Sequence, residues 1–360
     1  MHQVSPWRSA VAAIGISVVA VGSLATGVQA AAFHVAFAAS PGPCARGVSN
    51  RHDIRVELRS AHGTLLAAVD PVDFPAGDHF EACFGSRQLI AGRTLVASRP
   101  TSTVRFRFTI PDVSLRIDRV TDVVSGRSSA GHALTLRIGR CSLLQRYTCP
   151  RVLTQHLTTN ATGHYRRDLT GTFDVRGDDR LSVTTTSPQG HTWTRSADAP
   201  YMFMTIGGGF LFGAIQPGQH ATFRLKSGPG GSVLSTRSVT GDASGSSYAL
   251  TFGSVMRARR QVVSDLASDA RVTLPSTSTT FATQGADQVI RTHCLPDRRV
   301  AIAWDGPRGG VVMTADSLGR ASVNLSTAES PGFLLPSAYI VEIMCQTRAG
   351  DIVERTIDVP

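Results

Sequence analysis

The sequence predicts an all-β protein built from four small antiparallel sandwiches in tandem. Three observations carry that prediction. Only 6% of the 360 residues are aromatic, while Gly (34), Pro (18) and runs of Ser and Thr are frequent, the composition of many short strands joined by tight turns. Apolar and polar residues alternate with period two, as in Ala321, Val323 and Leu325 against Ser322, Asn324 and Ser326, the pattern of a half-buried strand. Turn motifs recur at domain-sized intervals. With 42% hydrophobic residues the chain is rich enough to bury ordered cores, which excludes a disordered chain.

The N-terminus has the form of a secretory signal. One positive charge, Arg8, precedes an apolar stretch from Ala10 to Leu24, and small residues end at Val28-Gln29-Ala30. Cleavage after Ala30 is expected, so residues 1–30 are assigned to the signal peptide. Ala36-Phe37-Ala38 is a second small-x-small site. An uncleaved anchor is the alternative, because His34 is the only ionisable residue from Ala10 to Ala39; membrane contact is expected only through this segment.

The formal charge is +10. Almost all the cations are arginine, with Lys226 the only lysine, and they are scattered along strands. Nucleic-acid binding favours a basic tract interleaved with aromatics, so no nucleic-acid partner is expected. A basic exported surface attracts anionic envelope polymers, at a strength that falls with salt.

"TADSLGRASVNL" (314–325) has a twin in "TTNATGHYRRDL" (158–169) and a looser copy in "TGDASGSSYALT" (240–251). Gly163, Gly245 and Gly319 each follow Asn160, Asp242 or Asp316 by three residues. Asn and Asp bond back to the backbone and Gly supplies positive φ, so the motif turns the chain between strands. Its copies exchange Asp316 for Asn160 and Arg320 for His164, which a ligand site of fixed chemistry would not allow. "VVSGRSSAGHALTLR" (123–137) and "FLFGAIQPGQHATFR" (210–224) form a second repeat, the end of one strand, a turn and the next strand. "FEACFGSRQLIAGRTLVAS" (80–98) resembles "VEIMCQTRAGDIVERTIDV" (341–359), each read as a hairpin closing a domain. The resulting units are 41–100, 104–200, 201–283 and 284–360. Their joins are short and rich in Pro, Ser and Thr, so a semi-rigid rod of separate sandwiches is expected.

Six cysteines follow the signal, which in an exported chain indicates three disulfides. Their distribution favours pairing within units: Cys44 with Cys83, Cys141 with Cys149, and Cys294 with Cys345. Cys83 and Cys345 occupy matching places in the closing repeat, so those two bridges are expected to be equivalent, each tying one sheet to the other. The spacings lack the short clamps of zinc sites, and no metal or cofactor is expected.

Cys294, Trp304 and Cys345 stand in the order of the disulfide and core Trp of immunoglobulin domains. Tyr339, six residues before Cys345, departs from the tyrosine corner. Together with the Thr-x-Asp-x-x-Gly turn, the mature chain resembles the tandem bacterial immunoglobulin-like (Big-type) domains of secreted and surface proteins. The resemblance implies a spacer or adhesive role.

No catalytic residue is assigned. "GDASGS" (241–246) differs from a serine protease setting by an extra Ala, and "GRSSA" (126–130) lacks the strand-to-helix context of a nucleophile elbow. "IGGGFLFG" (206–213) opens a strand rather than the helix a phosphate cradle needs. Asp174, Asp178 and Asp179 in a turn with Arg176 and Arg180 are read as solvated rather than as a Ca²⁺ site. His79, His156, His164, His191, His220 and His293 are read as exposed turn residues. Trp304 is expected in a core, whereas Trp193, flanked by Thr, is the candidate sugar-stacking platform, with Tyr201 nearby. The leading expectation is an exported, non-enzymatic binding or spacer protein contacting anionic polymers, glycans or surface proteins. The alternatives are a carbohydrate-binding accessory protein using Trp193 and, third, a hydrolase with a site assembled between units.

Overall fold

Backbone pairing sorts the strands into six sheets. The computed structural model describes residues 33–73, 78–144, 149–241, 247–266, 271–275, 279–284, 287–304, 309–328, 335 and 339–359. The expected signal at 1–30 and the core of the turn copy at 242–246 lie outside the described residues. The first stretch supplies β1 (Val35–Ala39), β2 (Cys44–Ser49), β3 (Arg55–Arg59), β4 (Leu65–Val69), β5 (Val72–Asp73), β6 (His79–Cys83), β7 (Thr94–Ser98) and β8 (Arg105–Thr109). The second supplies β9 (Arg116–Asp118), β10 (Val123–Arg127), β11 (Ala133–Arg140), β12 (Arg151–Thr158), β13 (His164–Asp168), β14 (Asp179–Thr186) and β15 (Thr192–Asp198). The third supplies β16 (Tyr201–Ile206), β17 (Phe210–Ala214), β18 (His220–Lys226), β19 (Val233–Thr240), β20 (Ser247–Thr251), β21 (Gln261–Ser264) and β22 (Arg271–Thr273). The fourth supplies β23 (Thr279–Gln284), β24 (Asp287–His293), β25 (Arg299–Trp304), β26 (Gly309–Thr314), β27 (Arg320–Asn324), the short helix α1 (Leu325–Ala328), β28 (Ile340–Gln346) and β29 (Ile352–Asp358). Among the described residues no helix is long and apolar enough to cross a membrane.

One strand order recurs in each stretch. β1, β2 and β6, extended by β5, form one layer opposite β4-β3-β7-β8; β9-β10-β13 lies opposite β12-β11-β14-β15. β16-β17-β20 lies opposite β19-β18-β21-β22, and β23-β24-β27 opposite β26-β25-β28-β29. This two-layer order is that of immunoglobulin-like sandwiches. Pairing also crosses two of the joins read from composition. β8 hydrogen-bonds β7, so residues 105–109 belong with the first layer pair rather than with 104–200. β23 hydrogen-bonds β24, so residues 279–284 belong with the last. Thr-rich segments suit half-buried edge strands, and polarity alone does not tell them from linkers.

The sandwiches are not strung as separate beads. β1 pairs in parallel with β15, Ala38 against Thr192 and Ala39 against Trp193, fusing layers of the first two stretches into one eight-stranded sheet. β16 pairs in parallel with β29, from Phe203 against Ile352 to Ile206 against Arg355, fusing the last two into a seven-stranded sheet in the same order. Each fusion removes two exposed sheet edges. The molecule thus repeats a two-sandwich unit, with one core running through residues 35–199 and a second through 202–359.

His191 secures the first fusion. Its Nδ1 accepts the Phe37 amide at 3.2 Å, and its ring packs between Phe37 and Phe108. The residue is 1% exposed, correcting its reading as an exposed turn histidine: the turn 187–190 precedes it, but the ring points under the sheet. Burial, aided by the nearby charge of His34, pushes the imidazole below its usual 6.5. The folded state therefore prefers the neutral ring, and its contribution is complete above pH 6.5 and lost as pH falls through the lowered value. The protection factor of the Phe37 amide, its exchange rate corrected for the intrinsic fall of exchange with pH, is expected to decrease on acidification from pH 7.5 to 5. Unfolding of His191→Phe is expected to depend less on pH over that range.

The turn motif builds the same structure in both described copies. Asn160 Oδ1 accepts the Thr162 and His164 amides at 3.0 and 2.9 Å, and Asp316 Oδ1 accepts those of Leu318 and Arg320 at 2.9 and 2.8 Å. Gly163 and Gly319 adopt φ of 78° and 81°. A second recurring device lies one strand further in. Gly126 pairs with Tyr165 and Gly213 with Tyr248. The phenols donate to the Ser114 and Tyr201 carbonyls at 2.6 and 3.0 Å. Gly47 faces Phe80 in the same way in the first stretch.

All three expected disulfides are present, but two of them are not equivalent. Cys44 and Cys83 face each other on adjacent strands of one sheet, whereas Cys294 follows β24 and Cys345 lies in β28, in the opposite layer. The closing repeat misleads because β28 and β29 form a true hairpin, while β6 and β7 lie in different sheets. An apolar strand carrying Cys before a Gly turn looks alike in both settings.

Candidate functional site

The two fused pairs meet across a buried junction. Leu143, in the loop closed by Cys141–Cys149, packs with Phe203, Ala301, Ala303, Met344 and Ile352 on the outer face of the seven-stranded sheet. Beside it, Arg119 Nη1 and Nη2 contact Asp351 Oδ1 and Oδ2 at 3.0 and 3.3 Å. The side chains are 2% and 0% exposed. Asp351 Oδ1 also accepts the Met202 amide at 2.8 Å, and Arg119 donates to the Pro200 carbonyl. Arg299 reaches Asp178 at 3.4 Å, and the Gly177 amide donates to Ala349 at 2.9 Å. Apolar contact and satisfied charge together lock the pairs.

A cleft of about 510 Å³ opens where the first, second and third sandwiches converge. Pro41, Pro111 and Pro217 stand along its walls, with Leu89 and Trp193 as apolar lining. The Pro217 wall is a turn, Gln216-Pro217-Gly218-Gln219, in which the Gln219 amide donates to the Gln216 carbonyl at 3.0 Å and Gly218 takes a φ of 71°, the requirement of a type II turn. Gln216 is 4% exposed. Its Nε2 donates to the Asp198 carbonyl at 3.2 Å, and its Oε1 is buried without a hydrogen-bond partner among the described residues. Asp112, Arg116 and Arg195 also line the cleft. Among the described residues neither guanidinium takes part in an ion pair or hydrogen bond.

Of the two binding candidates singled out in the sequence, Trp193 is among the residues lining the cleft and Tyr201 is not. Trp193 is 3% exposed and belongs to the first core, so the stacking platform proposed for it is corrected: a ring with so little exposed surface offers a sugar no face to stack on. Thr192 and Thr194 are its half-exposed neighbours, and strand alternation sends the residue between them inward. Tyr201 is half-buried at the junction. Trp304 is in the second core. Among the described residues the exposed aromatics are instead Phe210, 59% exposed, and Phe212, whose ring stacks on Phe203 at 4.2 Å. The sequence carried their signal in the inward Leu211 between them.

Of the three aspartates read as a solvated turn, Asp178 and Asp179 are buried in ion pairs, whereas Asp174 is exposed. Arg140 holds Asp179 at 2.8 Å, and Arg176 and Arg299 flank Asp178. Burial outweighs Arg140 and leaves the Asp179 carboxyl above its usual range. Cys44, Glu81 and Cys83 lie close together, but the two sulfurs are bonded to each other and Glu81 pairs with Arg46. Ser128 and Ser129 of "GRSSA" lie in the turn between β10 and β11, where the Ser128 amide donates to Gly163 at 2.8 Å and the Ser129 carbonyl accepts Thr159 at 2.6 Å.

No protein-family description matches this chain, and no curated protein matches it. Among solved structures, the tetra-tandem repeat in the extending region of a large adhesion protein is 15% identical, over 91% of this chain and 100% of that one, with a TM-score of 0.18. A 1.5-MDa bacterial ice-binding adhesin is 12% identical over 69% of this chain and 96% of its own, with a TM-score of 0.18. Native alpha-2-macroglobulin of E. coli is 10% identical over 93% of this chain, which spans 30% of its length, again with a TM-score of 0.18. Scores of this size carry no argument about activity, and the immunoglobulin-like sandwich reading rests on the strand order itself.

Proposed function

We propose that the mature chain is an exported, non-enzymatic module of Big-type sandwiches that holds a binding surface at a fixed distance in the cell envelope or extracellular space. The observation carrying this reading is the junction: fused sheets, a plugged apolar face and the buried Arg119–Asp351 pair make a rigid body of tandem sandwiches. Three disulfides support an oxidising compartment. Fractionation of producing cells tests it. The chain is expected in the exported or envelope fraction, beginning after residue 30, with all cysteines oxidised; a cytoplasmic chain with free thiols overturns it.

Carbohydrate binding is the second reading, supported by the Phe210 and Phe212 surface rather than by Trp193. Exposed aromatic faces stack on sugar C–H surfaces, as their apolar character favours. Phe210→Ser with Phe212→Ser is expected to lower retention on isolated envelope polysaccharide severalfold at high salt with the unfolding midpoint preserved. Unchanged retention removes this reading.

A further inference from the structure

We propose that the outer face of the seven-stranded sheet binds a glycan bearing free amino groups, one sugar ring lying against Phe210 and a neighbouring ammonium held by Glu342 and Glu354. The inference rests on the carbohydrate reading and gives it a ligand class. Strand pairing sets these groups side by side. Thr205 lies opposite Glu354 in the β16–β29 ladder, and its Oγ1 donates to Glu354 Oε2 at 3.1 Å. A β-carbon added at Gly208 would lie 3.2 Å from the Phe210 ring and 3.8 Å from the Thr205 methyl, so ring and methyl are neighbours. Phe210 and Glu354 therefore stand two strand spacings apart, about 10 Å, with the short Thr205 between them. Glu354 opposes Met344, and Glu342 opposes Thr356, which makes the two carboxylates diagonal neighbours on that face.

Charge selects the occupant. Both carboxylates are half-buried, and among the described residues neither takes part in an ion pair. Burial and the charge of Glu342 hold the Glu354 carboxyl above its usual range, and a ligand ammonium offsets both effects. Among the described residues no third metal-ligating side chain joins them, so an organic cation fits this pair better than a metal ion. Phe210 is 59% exposed and presents an apolar face to sugar C–H groups. Thr251, exposed and opposite Phe210, and Thr205, whose oxygen can still accept a hydrogen bond, meet the sugar hydroxyls. The same face already docks another part of the chain: Leu143 packs with Phe203 and Met344, and Phe212 extends that wall by stacking on Phe203.

Calorimetric titration of the mature full chain with tetraglucosamine, its N-acetylated form, cellotetraose and tetralysine tests the proposal, at mildly acidic pH so that the sugar amines are protonated. The chain is itself net basic, and salt at about 0.15 M screens the long-range repulsion. Tetraglucosamine is expected to bind about tenfold or more tightly than each of the other three, as a charge-assisted hydrogen bond implies. Glu354→Gln and Glu342→Gln are each expected to lower tetraglucosamine affinity severalfold and to erase its advantage over the N-acetylated form, whereas Phe210→Ser weakens both sugars alike. Glutamine keeps the shape and removes the repulsion between the carboxylates, so neither variant is expected to lower the unfolding midpoint. The proposal is overturned by no binding of tetraglucosamine, by equal binding of its N-acetylated form, or by an affinity unchanged in both glutamine variants. Tetralysine binding as tightly also overturns it, and would mark the face as a site for basic protein segments. Those failures leave the carbohydrate reading to its own test, retention on envelope polysaccharide in the Phe210 and Phe212 double variant.

Discussion

Asp351→Ala is expected to destabilise the junction between the two fused pairs by about 3–5 kcal/mol, the cost of leaving one member of a buried ion pair without its partner. The carboxylate is the hub of the contact. It meets both terminal nitrogens of Arg119 and accepts the amide of Met202, the second residue of β16. Without it, a guanidinium that is 2% exposed loses its carboxylate and retains the Pro200 carbonyl. Replacing both partners, as Arg119→Met with Asp351→Leu, is expected to cost far less, because apolar side chains of similar size fit a buried site without a desolvation penalty. A double-mutant cycle by urea unfolding measures the difference, and limited proteolysis near residue 200 reports whether the pairs separate. A cost of Asp351→Ala below about 1 kcal/mol, typical of exposed pairs, would show that the Leu143 contact, the Arg299–Asp178 pair and the Gly177–Ala349 hydrogen bond hold the pairs without it.

The local grammar of the fold was legible in the sequence and its long-range pairing was not. Asn160, Gly163, Asp316 and Gly319 could be read as turns because their chemistry is local: a side-chain oxygen meets amides two and four residues on, and a glycine takes positive φ. Within-unit disulfides followed from spacing for the same reason. The fusion of β1 with β15 joins residues some 150 positions apart through two residue pairs, and nothing in either strand marks its partner. The loop 141–149 read as a local staple, yet its Leu143 faces a sheet contributed by residues beyond 200. The cleft has the same origin. Arg116, Arg195 and Gln216 come from three separate segments, so no motif could have announced the cleft they line, and the candidate chosen from sequence, Trp193, turned out to belong to the first core.

Gly126→Ala is expected to be among the most damaging small substitutions in the chain, at about 1–3 kcal/mol, the range for overpacking a filled site. A β-carbon at 126 would collide with the Ser114 carbonyl oxygen and with the Tyr165 ring. The neighbours cannot yield cheaply. Ser114 is held as backbone, its amide donating to Arg127 at 3.0 Å, and the Tyr165 hydroxyl is fixed on the Ser114 carbonyl. Burial also pushes the Tyr165 phenol well above its usual range, so the hydroxyl remains a donor at all ordinary pH. Tyr165→Phe is expected to cost about 1 kcal/mol, that of one hydrogen bond, because the ring still covers the glycine. Gly253→Ala is the control: space is open around it and its backbone is not left-handed, so a β-carbon there is expected to be neutral or slightly stabilising through the unfolded chain. Chemical denaturation of the three variants separates the explanations. Equal losses at 126 and 253 would mean that glycine is needed for flexibility; a loss confined to 126 means that the ring and the carbonyl occupy the space a side chain would take. The same geometry at Gly213, against Tyr201 and Tyr248, predicts the same result there, and so links the two fused pairs by a shared packing rule where their sequences have diverged.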